Sequence, residues 1–390
     1  MALPDDARPL SRAAVTWALV SDAVPLYPLY ALLFTEHGLD EPTVAGLFAL
    51  WSAVGLVAEV PSGAFADRFS RRSALVLAGL LQAAAYALWT ELPGLPAFAA
   101  GFVLWGVGGA LISGALEALL YDGLAAAGAE SAFPRVLGRV NAAYYVSELP
   151  TAALASGLFL LGGFRLVGWV SIVICVVGSF VATRLPEPPR RQGPPDEDDA
   201  PDGYVETLRA GVTEAVRRPP VLRCVLAVTM LGGLDGLEEF FPLVAQDEGV
   251  SVVTVPLVLV GVAAAGVAGS LSSGLTARLT GRGLGTATVV AGLMLAAAAA
   301  PVTPVAALVG VAASYGLHQA VLVAAESRLQ EQITGPARAT VTSVAGLGTE
   351  VTALVLFAAW ALGGLPLAAA MLVGAGLAVR VLMSSASSTG

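Results

Sequence analysis

Long apolar runs alternate with short polar breaks along this chain. They occupy about residues 13–35, 43–66, 73–90, 96–120, 137–161 and 164–185, then 219–246, 251–277, 284–300, 303–328, 338–361 and 364–383. Each is roughly 20 residues, the length a helix needs to cross a bilayer core. The shorter alternating segments of a membrane β-barrel are not seen. The pattern predicts an all-α membrane protein with twelve transmembrane helices in two sets of six. The sets fall at 1–185 and 219–390. Between them, Pro186–Asp199 is too rich in proline and charge to pack and is expected to be a disordered linker. Residues 204–218 place Val205, Leu208, Val212 and Val216 near helical spacing among charges. That predicts a short amphipathic helix on the cytoplasmic face, so 186–218 forms the connection between the sets.

Composition agrees with the pattern. Of the 390 residues, 56% are hydrophobic and only 13% charged. A soluble chain carries about twice that charge. Cys175 and Cys224 lie in or beside apolar runs without CxxC spacing, which argues against a disulfide frame or a metal site. The first apolar run contains Asp22 and is too long and too polar for a cleavable signal, so it is read as the first span.

Charge sets the orientation. All 20 basic residues are arginine. With the N-terminus in the cytoplasm, only Arg165 falls outside. The excess of arginine on one face predicts that both termini are cytoplasmic, in a multi-pass protein of a bacterial-type inner membrane.

The densest polar stretch lies between the second and third spans. It reads Gly63-x-x-x-Asp67-Arg68-x-x-Arg71-Arg72. Gly63 allows close backbone approach at a helix end. Asp67 is an anion suited to another helix's N-terminus, and the arginines hold the loop in the cytoplasm. This spacing resembles the signature loop of the major facilitator superfamily of transporters. The resemblance covers essentially the whole chain and implies two six-helix bundles around a central cavity. In the second half, Ser273-Gly274-Leu275-Thr276-Ala277-Arg278 keeps the Gly and Arg but lacks the Asp, as expected of a diverged internal repeat. Asp122, closing the fourth span, is the expected partner of Arg71 or Arg68, or else a solvated helix end. Asp67 is expected to cap the eleventh span near Ala337.

An ionisable group inside a span is costly unless it faces protein or water. Spans 3, 6, 9 and 12 carry no Asp, Glu or His in their interiors and are read as lipid-facing. The cavity candidates are Asp22, Glu148, Asp235, Glu239, His318 and Glu350. Asp22 lies beside Pro25 and Pro28, where it lines a cavity or satisfies a kink. Glu59 braces the signature loop. Asp235, Glu238 and Glu239 share a helix face by i, i+3, i+4 spacing and form a site or an outer helix end. His318, beside Gln319, suits proton handling or is a packed histidine. Glu148 and Glu350 lie deepest, at corresponding places in the two halves.

No Walker-type loop or metal-ligand spacing appears, and no cofactor or enzymatic activity is expected. Gly106-x-Gly108-Gly109 serves helix packing. The reading is a monomeric secondary transporter that takes a small-molecule substrate and protons within the lipid bilayer, with no nucleic-acid partner. The favoured mode is proton-coupled, drug-exporter-like efflux of a small apolar or cationic compound by alternating access. In drug exporters of the family the fifth span ends in a Gly-Pro and Gly-Gly pattern. Here Ser147-Glu148-Leu149-Pro150-Thr151, with Gly162-Gly163 later, departs from it, which leaves direction open. The alternatives are a proton-driven nutrient importer and a transport-inactive sensor on the same fold.

Overall fold

A computed structural model describes residues 4, 7–187, 218–333 and 338–383. The side chains of 60, 64, 67, 68 and 338–340 lie outside that description, as do nearly all of the expected linker and the whole amphipathic stretch up to 217. The chain divides into two compact units. One comprises Met1–Leu39, Leu50–Asp196 and Val252–Leu257; the other comprises Asp40–Ala49, Glu197–Ser251 and Val258–Gly390.

The first unit opens with α1, Arg8–Ser21, and α2, Tyr30–Glu36, with a 3-10 turn at Tyr27–Leu29 between them. It continues through α3, Glu41–Arg68, whose first residues up to Ala49 belong to the second unit, then α4, Arg71–Glu91, α5, Leu95–Ala126, and α6, Phe133–Ala182. The second unit holds α7, Pro219–Leu234, and α8, Phe241–Asp247, again joined by a 3-10 segment, Asp235–Phe240. Then come α9, Val255–Leu271, α10, Ser273–Thr276, α11, Gly281–Ala298, α12, Pro304–Gln332, and α13, Arg338–Leu382.

Among the described residues, eight helical stretches are long and apolar enough to cross a membrane, and α9 is a shorter apolar helix. Two of the eight are double. Gly163, at φ 59°, turns α6 back, and Gly364, at φ 55°, turns α13 back. That left-handed backbone favours glycine, so both turns fall where the sequence offers Gly-Gly. With α1 and α2 taken as one broken span, the architecture is the expected set of twelve.

The first and seventh spans are both interrupted. Pro25 has no N–H to give the Ser21 carbonyl, so α1 stops and restarts. In α7 the glycines Gly232, Gly233 and Gly236 weaken the helix where it tightens to 3-10 geometry.

Packing in the first unit has two centres. Leu10, Trp17, Leu75, Leu119, Leu124 and Val136 are buried together at its arginine-rich end. Toward the other end, Tyr30, Phe34, Trp89, Phe98 and Phe102 form an aromatic cluster, with Trp89 Nε1 donating to the Phe98 carbonyl at 3.1 Å. In the second unit the start of α3 packs on α13 and the 3-10 segment. Trp360 Nε1 donates to Glu41 Oε2 at 2.8 Å, Phe240 stacks on Trp360 at 4.0 Å, and Phe48 meets Phe240 and Phe357 edge-on.

Candidate functional site

The two interrupted spans carry the polar chemistry. Asp22 is the C-cap of α1, and its backbone N–H closes on the Ala18 carbonyl. Its carboxylate Oδ2 accepts from Ser147 Oγ on α6 at 2.9 Å. Ser147 Oγ is also 2.7 Å from the Tyr144 carbonyl, so one hydroxyl proton lies between two acceptors. The chain beyond Asp22 is held at its far end by the Leu26 N–H, which donates to Ser171 Oγ at 3.0 Å.

Asp235 holds the equivalent place in the second unit, as the C-cap of α7. Gln319 Nε2 on α12 donates to Asp235 Oδ1 at 2.6 Å and to the Tyr315 hydroxyl at 2.9 Å. The Tyr315 hydroxyl donates in turn to Glu238 Oε2 at 2.9 Å. Four side chains from two elements therefore form one connected network. Tyr315 and Gln319 meet because they are four residues apart on a helix. Asp235 and Glu238 meet because a 3-10 segment stacks i over i+3.

Of the three acidic residues expected on one face, Asp235 and Glu238 join this network, and Glu239 is buried and engaged by a partner. No arginine bonds Asp235 or Glu238 among the described residues. Two carboxylates joined through neutral donors repel each other, and a proton or a cationic group relieves the repulsion.

His318 lies beside this network but not in it. It is 2% exposed, with the Leu231 carbonyl nearby, and neither ring nitrogen makes a well-formed hydrogen bond among the described residues. Glu148 and Glu350 are each half-buried, and each is engaged by a partner.

The loop after α3 is a separate cluster. Arg71 bonds both the Asp122 carboxylate and the Ala118 carbonyl, which ties the start of α4 to the end of α5. Ser70 caps α4 by accepting from the Ser73 N–H at 3.0 Å. Glu187, just past α6, accepts from the Arg71 N–H at 2.8 Å and from Ser70 Oγ at 2.6 Å. An anion there suits the positive end of a helix. Arg72 lies 3.9 Å from the same carboxylate. Gly63 packs against Gly114 of α5, where a Cβ would come within 3.6 Å of the Gly63 Cα. Glu59 accepts from Ser113 Oγ at 3.4 Å. The side chains of Asp67 and Arg68, and Ala337, lie outside the described residues.

Ser147, Tyr315, Gln319 and Glu187 were not among the residues expected to form a site. Tyr315 and Gln319 carried a signal, since they are polar and four apart in an apolar run. Ser147 and Glu187 carried none, because their partners are 125 and 117 residues away.

The sequence profile of the Major Facilitator Superfamily matches residues 13–356. An uncharacterized MFS-type transporter of Mycobacterium tuberculosis is 28% identical over 185 residues, covering 47% of this chain and 43% of that one. The match thus spans less than half the length of the curated relative. Solved structures share the fold at low identity. The nucleoside transporter NupG aligns with a TM-score of 0.71 at 12% identity over 98% of both chains. A bacterial homologue of the human lysosomal transporter Spinster gives 0.68 at 17% over 98% of this chain and 94% of that one. A D-xylose–proton symporter gives 0.65 at 14% over 96% of each.

Proposed function

Because this chain belongs to the major facilitator superfamily, and is a transporter rather than an enzyme, we propose that it exports a small organic cation in exchange for protons by alternating access. The observation that carries this reading is the Asp235–Gln319–Tyr315–Glu238 network at the break of the seventh span. Broken helices in corresponding positions of two repeats are where secondary transporters of several folds bind substrate and coupling ions. A pair of carboxylates without a basic partner takes up one proton, or one ammonium-type group, at a time. Competition between the two is the simplest form of exchange. The Tyr315 ring, packed edge-on against Phe241 at 5.4 Å, adds an aromatic surface on which a cation is favoured. Glu148 and Glu350 are the further proton-carrying candidates, at matching depth in the two units. On this reading the protein works as a monomer in a bacterial-type inner membrane with both termini cytoplasmic, as the arginine distribution supports.

The test uses purified protein in proteoliposomes with an imposed pH gradient and a panel of organic cations, anions and neutral compounds. Cations should accumulate against their gradient when the compartment they enter is acidic, and Asp235→Asn with Glu238→Gln should abolish this. Proton-driven accumulation of anions or neutral compounds alone would overturn the substrate class. Movement of substrate in the same direction as protons would make the protein an importer.

A further inference from the structure

We propose that the break in the first span binds one sodium ion, held by the Asp22 carboxylate, the Ser147 and Thr151 hydroxyls and the main-chain carbonyls of Ser21 and Ala23. The break leaves backbone acceptors over. Pro25 cannot donate to the Ser21 carbonyl. The neighbouring N–H groups are all committed elsewhere. Ala23 N–H goes to the Val20 carbonyl at 3.3 Å, Val24 N–H to Asp22 at 2.7 Å and Tyr27 N–H to Val24 at 3.1 Å. Leu26 N–H goes to Ser171. The carbonyls of Ser21 and Ala23 therefore accept no hydrogen bond among the described residues. Unwound carbonyls beside a half-helix C-terminus are a known way to coordinate sodium in membrane transporters.

The side chains point the same way. Thr151 is one helical turn beyond Ser147 on the same face of α6. It is only 6% exposed, and its Oγ1 has no hydrogen-bond partner among the described residues. A buried hydroxyl left unsatisfied is costly. Ser147 has one proton for two acceptors. When it bonds the Tyr144 carbonyl, its lone pair faces Asp22 Oδ2 at 2.9 Å, and a cation lying with both oxygens removes that repulsion.

Charge selects the ion. The site has one formal negative charge, and the end of α1 adds the negative pole of its dipole. One monovalent cation balances this, whereas a divalent ion leaves an excess. The basic residues nearest along α1 and α6 are Arg12 and Arg139, roughly two to three turns away. Tyr144 and Glu148 are the titratable neighbours on α6. A proton on Asp22 would satisfy Ser147 alone. It would leave the Thr151 hydroxyl and two carbonyls unpartnered, so the number of oxygens favours a metal cation. The site stands apart from the network in the second unit and does not depend on how that network works.

The experiment measures thermal unfolding and tryptophan fluorescence of the full-length protein in detergent at fixed pH and ionic strength, replacing choline chloride with sodium chloride. Sodium should raise the melting temperature saturably. Asp22→Asn should abolish the effect, and Thr151→Val, which is nearly isosteric, should weaken apparent affinity roughly tenfold, the size of one hydrogen bond to a charged group. Ser156→Ala, which removes another buried unpartnered hydroxyl on α6, should leave the response unchanged. Absence of a sodium-specific shift, an equal shift in Asp22→Asn, or a response to pH alone would overturn the site. If Asp22→Asn does not fold, Thr151→Val carries the test, and an unchanged sodium affinity there has the same consequence.

Discussion

Asp22 and Asp235 occupy the same place in their respective units: each closes a half-helix at the point where its span breaks. Each carboxylate is met by an uncharged donor from another span, Ser147 for Asp22 and Gln319 for Asp235. The equivalence is topological, because both breaks are followed by a 3-10 segment and a seven-residue helix. A helix C-terminus is a poor place for an anion. A residue of this type at both breaks is therefore more readily explained by binding than by stability.

Tyr315 is the hinge of the network in the second unit. Tyr315→Phe keeps the ring contact with Phe241 but removes the bond to Glu238. Because a hydrogen bond to a charged group is worth about 1.5–3 kcal/mol, substrate affinity or uphill transport should fall by roughly ten- to a hundredfold. Melting temperature should change little. Proteoliposome flux measured beside thermal unfolding separates the two, and full transport in the phenylalanine variant would remove Tyr315 from the mechanism.

Arg71 and Asp122 form an ion pair whose carboxylate partner is 49% exposed. Such pairs contribute only about 0–1 kcal/mol, so the pair's value is positional rather than stabilising. Arg71→Ala should leave the protein in the membrane while slowing transport. Arg71→Lys should restore it only in part, because a lysine cannot reach the Ala118 carbonyl and Asp122 together as a guanidinium does. Normal rates in both Arg71→Ala and Asp122→Asn would show that the contact is incidental.

Single cysteines in a Cys175→Ala, Cys224→Ala background report orientation. Cysteines at Asp40 and Asp247 should react with an impermeant thiol reagent in intact cells, and one at Gln192 only after lysis. Labelling of the Gln192 position from outside would reverse the topology drawn from the arginines.

Asp40 caps α3, accepting from the Thr43 N–H at 3.1 Å. The Thr43 hydroxyl and N–H hold its carboxyl below the usual range. A folded-state value below the unfolded one means that the contribution is full above about pH 4 and is lost as pH falls through the lower folded value. The melting-temperature difference between the wild type and Asp40→Ala should shrink below about pH 4. Asp40→Asn, which also caps, should show no such pH dependence.

Gly269 of α9 and Gly316 of α12 let two backbones touch, and a Cβ on Gly269 would fall within the Gly316 carbonyl. Gly269→Ala should cost about 1–3 kcal/mol, read as a lower melting temperature and reduced yield. Gly274→Ala, where nothing lies within 4 Å, should be neutral by the same measures.

The amino-acid sequence alone determined that the chain crosses a membrane as twelve helical spans in two sets. Apolar length is a local property, and the bilayer leaves helices little alternative. It also pointed to Asp22, Asp235 and the loop at Arg71, because a charge in an apolar run stands out without knowledge of its neighbours. Tertiary structure decided which groups meet. Ser147 is ordinary in sequence until α6 brings it to Asp22, and Glu187 reads as linker until it caps α4. Glu238 reaches the network from a 3-10 segment rather than from an α-helix. At 3.6 residues per turn the two glutamates flank the face of Asp235 about equally, whereas at three per turn only Glu238 does. No periodicity in the chain reveals that change of pitch, because it forms only where Gly232, Gly233 and Gly236 lie close against α13.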